Sequence, residues 1–149
     1  MRMTIVAIGR AKAGPERDLF QHYLKRMTQP LGLKEVEVKP GNDARRKEGE
    51  KLLAAVPKDA VVVALDERGK DLSSRQLADR IAGWRDDGIR DIAFLIGGAD
   101  GLDGRVREQS DLLLSFGRVT WPHMLMRGML AEQIYRTQCI LAGHPYHRD

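Results

Sequence analysis

At 149 residues the chain has the usual size of one domain, about 100–200 residues, so a single hydrophobic core is expected. An apolar content of 42%, with 15 glycines and 6 prolines scattered along the chain, excludes a disordered tail and collagen-like or low-complexity classes. The formal charge of +4 is unevenly placed: residues 1–51 carry 12 Lys/Arg against 7 Asp/Glu, which fits either a polyanionic partner or an ordinary self-repelling surface.

The longest apolar run, residues 60–65, falls far short of the ~20 residues a membrane helix requires. The apolar stretch at residues 5–8 is too short for a secretory signal, so a mature cytoplasmic protein without membrane contact is expected. Cys139 is the only cysteine; it can form neither an internal disulfide nor a zinc framework, and it reads as core filler in a reducing compartment.

In chain order, residues 4–9 read as an apolar strand, and after Gly14-Pro15 the positions Leu19, Phe20, Tyr23, Leu24 and Met27 recur at helical spacing. Leu33, Val36 and Val38 suggest a second strand, ended by Pro40-Gly41 before a polar helix with Leu52, Leu53 and Val56 on its buried stripe. Residues 60–65 are continuously apolar and rich in valine, as in a central strand covered on both faces. Ser73 and Gln76 form a capping-box pattern that starts a helix carrying Leu77, Ile81 and Trp84 on one face. A strand over residues 91–96 follows, then a glycine-rich turn, a short helix over 103–109 and a fifth apolar segment over 112–116. Pro122 suits the first turn of a last helix, which Gly143 and Pro145 stop. This alternation predicts an α/β fold with a mostly parallel sheet and helices on both faces. Ligands of such sheets collect at the carboxyl ends of the strands, which points to Leu65-Asp66, Gly97-Gly98 and Ser115-Phe116.

Gly9 and Gly14 have P-loop spacing, but Pro15-Glu16 stands where Lys and Ser/Thr are needed. The run Ile96-Gly97-Gly98-Ala99-Asp100-Gly101 lacks the glycine order of a dinucleotide fingerprint; its paired glycines suit either close approach of a flat ligand or a tight turn. His144 and His147 are too few for zinc, so no metal is expected. Residues 144–148 form either a docked tail bringing Tyr146, His147 and Arg148 to a site or a frayed end. His123 and Arg127 share one helix face, either solvated or beside the loop at residues 116–121. The polar helix with Arg45, Arg46 and Lys47 is expected to face water. The final helix carries more apolar surface, from Met124 to Leu141, than one stripe needs, which suits a core plus a subunit interface.

Five ordered blocks carry a resemblance: Leu65-Asp66-Glu67-Arg68-Gly69-Lys70, Ile96-Gly97-Gly98-Ala99-Asp100-Gly101, Thr120-Trp121-Pro122-His123, Glu132-Gln133-Ile134-Tyr135-Arg136 and His144-Pro145-Tyr146-His147-Arg148. Together with Ile8-Gly9-Arg10 and Tyr23-Leu24-Lys25-Arg26 they make the whole chain similar to the RlmH family of the SPOUT superfamily, ribosomal large-subunit RNA pseudouridine N3-methyltransferases. The resemblance implies a single SPOUT domain over residues 1–149 with a C-terminal trefoil knot, a homodimer, and S-adenosylmethionine as methyl donor. It implies cofactor contacts from Leu65, Gly97, Phe116, Gly117, Arg118, Val119, Thr120 and Trp121, with Gly117-Arg118 departing from the small or uncharged pair expected there. The target it implies is N3 of pseudouridine 1915 in the helix 69 loop of 23S rRNA, read in ribosomal context. On this basis His147 is the candidate proton acceptor, Arg148 the group that holds phosphate or stabilises the imide anion, and Tyr146 the group that positions the base. The residues by themselves leave open a non-enzymatic ribosome-associated RNA-binding module and a transferase for another RNA position.

Overall fold

The computed structural model describes residues 1–149 as five strands and five helices. They run β1 (Arg2–Ile8), α1 (Pro15–Arg26), β2 (Leu31–Val36), α2 (Ala44–Ala54), β3 (Val61–Lys70), α3 (Ser74–Asp86), β4 (Asp91–Ile96), α4 (Gly104–Gln109), β5 (Leu112–Leu114) and α5 (His123–Ala142). The strands form one sheet in the order β2-β1-β4-β3-β5. Every pairing is parallel, so the expected mostly parallel sheet is entirely so.

Alternate residues of each strand feed two cores, one on each face, as the period-2 geometry of a strand requires. On one face Ile5, Ala7, Val63, Phe94 and Ile96 pack against Phe20 of α1, Leu77 and Ile81 of α3, and Leu130 and Ile134 of α5. On the other, Val6, Ile8, Val62, Ala64 and Leu95 pack against Leu52 of α2, Val106 of α4 and Leu102. The central strand β4 is buried at all six positions, which explains its unbroken apolar sequence. Fully burying one such side chain contributes about 1.5–3 kcal/mol. At the start of α3 the capping box forms: the Ser73 hydroxyl accepts from the Gln76 N–H at 3.1 Å, and the Gln76 amide accepts from the Ser73 N–H at 2.9 Å.

Three readings are corrected by the fold. The second strand occupies Leu31–Val36, ahead of the Leu33-to-Val38 stretch that its alternation suggested. The third does not stop at Leu65 but continues through the charged Asp66-Glu67-Arg68-Gly69-Lys70 segment. Here β3 leaves β4 after Ala64, bulges, and returns to pair Lys70 with Leu114 of β5. The return works because Gly69 lies flat on the β5 backbone: a Cβ built on it would stand 2.6 Å from the carbonyl carbon and oxygen of Leu113.

The third correction concerns Arg127. It is neither on a solvated face nor beside the residue 116–121 loop, but 2% exposed inside the fold. Its guanidinium donates to Glu35 Oε2 at 2.6 Å and to the carbonyls of Ile8 (3.1 Å) and Gly9 (2.8 Å), tying α5 to the carboxyl ends of β1 and β2. Burial works against the Glu35 charge, but the Ala11 N–H and Arg127 outweigh it and hold this carboxyl below its ordinary range.

Because the Gly69 contact is backbone against backbone, no side chain can move aside to admit a methyl group. Gly69→Ala is expected to cost about 1–3 kcal/mol, read as a lower urea midpoint at unchanged slope. An unaltered midpoint would show that the β3–β5 junction has slack.

Candidate cofactor cleft and C-terminal tail

Three adjacent strands, β4, β3 and β5, release their chains at one rim of the sheet, and the segments that follow enclose a cleft of about 630 Å³. This lies within the ~300–1,000 Å³ range of small-molecule sites. Leu65 lines it where β3 parts from β4, Gly97 directly after β4, and Phe116, Gly117, Val119, Thr120 and Trp121 in the loop after β5. Seven of the eight cofactor positions expected from sequence therefore meet in one place. Arg118 does not: its side chain is exposed and forms no part of the wall.

The loop is held by its own side chains. The Trp121 indole N–H donates to the Phe116 carbonyl at 3.1 Å, closing residues 116–121 into a ring. The Thr120 hydroxyl donates to Glu67 at 3.1 Å, and the Ser115 hydroxyl donates to the Gly117 carbonyl at 2.9 Å. Meanwhile the main-chain N–H groups of Arg118, Val119, Thr120 and Trp121 find no acceptor within the chain. A wall of apolar side chains with unpaired main-chain donors suits an adenine, whose faces are apolar and whose edge accepts hydrogen bonds. The residues present therefore fit the adenosyl part of S-adenosylmethionine.

On the opposite wall the glycine run is a tight turn. Gly101 takes the positive φ of +79°, not Gly97 or Gly98, and a Cβ on Gly97 would stand 2.9 Å from the Gly101 carbonyl oxygen. Of the two readings open in the sequence, the tight turn accounts for Gly97, while Gly98 is crowded by the side chains of Glu48 and Ile8 and both glycines also line the cleft. Behind Gly98 sits Glu48, whose carboxyl burial and the nearby Asp100 charge push up. Sequence reasoning did not single out Arg45, which borders the cleft from α2 while remaining exposed to water; no local pattern separates it from Arg46, which pairs with Glu50 at 2.7 Å. His123 also lines the cleft. Burial, then the Arg127 charge, lowers its pKa and favours neutral imidazole.

The tail is docked rather than frayed, but on α5 and not in this cleft. Tyr146 donates to Glu132 Oε1 at 2.9 Å and packs edge-on to Tyr135, with Arg136 4.7 Å over its ring. Glu132 Oε1 also accepts from Arg136 at 2.6 Å, and its other oxygen accepts from Gln133 at 3.0 Å. His147 Nδ1 lies 3.0 Å from Arg136 Nη1, and Nε2 lies 3.0 Å from Asp149. Since guanidinium can only donate, Nδ1 is the acceptor and the ring proton sits on Nε2. Asp149 in turn takes a two-pronged contact from Arg75 of α3, at 3.0 and 2.7 Å. Arg148 is exposed. Tyr146 and His147 are thus both held on Arg136, Arg148 stays exposed, and none of the three lines the cofactor cleft of the same chain.

No helix is long and apolar enough to cross a membrane, and no group of three or more His, Cys, Asp or Glu side chains is placed to hold a metal ion.

A five-stranded parallel sheet with a loop-built cleft at its carboxyl rim is the arrangement in which α/β proteins bind small ligands. The family model described as "Predicted SPOUT methyltransferase" matches residues 1–147, and the chain belongs to that family. Among its relatives, the ribosomal RNA large subunit methyltransferase H of Rhodospirillum centenum is 60% identical and that of Paramagnetospirillum magneticum 58%, each with 99% of both chains covered. The protein of the same name from Dinoroseobacter shibae is 53% identical over 99% of both chains. A probable methylase family protein from Haemophilus influenzae has a similar fold, with a TM-score of 0.59 at 11% identity over 99% of this chain and 70% of that one.

Burial first, then the Glu132 hydrogen bond and charge, push the Tyr146 hydroxyl up to about 12 from an ordinary value of 10. Because the folded value is the higher one, the tail contact contributes its full stability below pH ~10 and loses it as pH rises through about 12. Phenolate absorbance should therefore show a late transition near pH 12 that Tyr146→Phe removes. Tyr135, also raised, titrates late as well, so the reading is the amplitude lost near pH 12: a variant that loses none shows that the ring is not held on Glu132.

Proposed function

We propose that this chain is an S-adenosylmethionine-dependent methyltransferase acting on N3 of pseudouridine 1915 in helix 69 of 23S rRNA. In this reading it is a cytoplasmic homodimer whose single domain is threaded as a trefoil knot near its C-terminus. The observation that carries the reading is the convergence of Leu65, Gly97 and the 116–121 loop on one cleft. The activity named for the relatives supports a large-subunit rRNA substrate.

Leu65, Gly97, Phe116, Gly117, Val119, Thr120 and Trp121 would hold the donor together with the main chain of Arg118, whose side chain is left outside to meet RNA. When bound, S-adenosylmethionine supplies a sulfonium methyl group open to in-line displacement by a ring nitrogen. The protein's part is to orient the base and to remove the N3 proton. We assign Tyr146 to positioning the base, His147 to accepting the proton, and Arg148 to holding phosphate or the imide anion. In the docked tail both imidazole nitrogens of His147 are engaged, so its action as a base requires release from Arg136.

A homodimer supplies the remaining element, because the tail of one protomer can serve the cleft of its partner. Apolar surface is present for this: Leu125, Met129 and Ile140 of α5 are half-buried, and Val119, Trp121 and Leu141 are exposed at 61%, 38% and 37%.

With ribosomes from cells lacking this gene and labelled S-adenosylmethionine, the label is expected on one pseudouridine of the large-subunit RNA. An unlabelled large-subunit RNA would refute the assignment. His147→Ala should lower the single-turnover rate by about 10²–10⁴. A rate close to wild type at every pH would remove His147 from the proton-accepting role.

A further inference from the structure

A second cleft, of about 580 Å³, opens at the carboxyl ends of β1 and β2. Its rim is the β1–α1 loop with Arg10 and Lys12, joined by Arg17 from the first turn of α1, and its floor includes the buried Arg127. Four cationic side chains line it against two acidic ones, Glu16 and Glu35. Glu35 is already committed, since it accepts from Arg127 at 2.6 Å and from the Ala11 N–H at 2.7 Å. The rim cations are not committed: Lys12 and Arg17 pair with no carboxylate, and Arg10 reaches only Glu37, at 3.8 Å. All three are exposed. Arg127 beneath them is charge-matched by Glu35, with only its buried Nε–H left without a partner, so the excess positive charge of the cleft lies in the three rim cations.

The position of this cleft is as informative as its charge. His123 and Met126 of α5 line the cofactor cleft, whereas Met124 and Arg127 line this one, so a single helical turn separates the two. A helix with its side chains is about 10–12 Å across, a distance that a short stretch of single-stranded RNA spans. The rim cations also belong to the basic half of the chain, residues 1–51.

We propose that the Arg10–Lys12–Arg17 cleft binds backbone phosphates of RNA flanking the nucleotide that enters the cofactor cleft. This rests on the reading of the protein as an RNA methyltransferase and adds to it a substrate-holding surface remote from the transferred methyl group. The phosphates are held by the cationic side chains; Glu16 and Asp18 in the first turn of α1 oppose any anion at the helix end itself. Arg127 touches no RNA. Its fixed guanidinium anchors the β1 and β2 ends to α5 and keeps Glu35 from neutralising the rim.

The test is the variant Arg10→Gln/Lys12→Gln/Arg17→Gln, with Arg10→Lys/Arg17→Lys as the charge-keeping control. Affinity for unmodified ribosomes and for a labelled single-stranded RNA oligonucleotide is measured across salt, alongside calorimetric binding of S-adenosylmethionine and steady-state methylation. On single-stranded RNA every phosphate that is no longer neutralised makes log K against log salt shallower by about 0.7, so a decrease of about 2 in slope is expected. KM for the RNA should rise by about tenfold or more at low salt with kcat retained, while cofactor affinity and melting temperature stay at wild-type values. The control should keep the wild-type slope. A wild type that methylates with a salt slope shared by the glutamine variant would overturn the phosphate site alone, as would a failure of dimerisation in place of weakened RNA affinity. A wild type with no affinity for either RNA would overturn the functional reading and this site with it.

Discussion

Five strands hydrogen-bonded in one direction leave all their carboxyl ends on a single rim, and both clefts described above follow from that constraint. The amino ends carry only structural pairings, such as Arg2 with Asp91 at 3.0 Å. At the opposite rim the chain must turn over the sheet edge after every strand, and those turns become walls. Two concavities result, one after β4, β3 and β5 and one after β1 and β2, with the first turn of α5 between them. Their different chemistry comes from composition: glycines with apolar and aromatic side chains among charges of both signs in the first, and an excess of basic over acidic side chains in the second.

Arg127 shows how such a rim is kept rigid. Burying a guanidinium is costly unless its donors are satisfied, and here a carboxylate and two main-chain carbonyls replace water around it, leaving Nε alone without a partner. The carbonyls it binds belong to the last residue of β1 and the glycine after it. A hydrophobic side chain of equal size would take the guanidinium donors from both carbonyls and leave Glu35 with the Ala11 N–H alone as its hydrogen-bond donor. The fold therefore keeps a cation at a position where packing alone would favour leucine.

Much of this was legible in the residues. β4 declares itself by six apolar or buried positions in a row, α3 by its Ser73–Gln76 cap, and the cofactor cleft by applying the carboxyl-end rule to Leu65, Gly97 and Phe116. What was hidden was hidden for physical reasons. Residues 66–70 carry charge and glycine because that part of β3 is largely exposed, so no alternation marks it as strand. Arg127 sits among methionines and leucines on a helix apolar nearly all round, and only the position of Glu35, 92 residues away in sequence, makes its burial tolerable. Arg45 borders the cleft while staying exposed to water, and the Arg118 side chain points out of it, because the direction of one side chain has no composition signature.

The two margins of the sheet bear on how copies of this molecule can associate. One margin is β5, only three residues long and beside an irregular bulge; the other is β2, whose six residues include Lys34 and Glu35. Neither presents the long, flat, uncharged ladder that recruits a foreign strand. Continuous β-pairing across a molecular boundary is thereby discouraged at both ends, and self-association is left to contacts between helices and loops, where geometry is set by side-chain shape instead of by a repeating backbone.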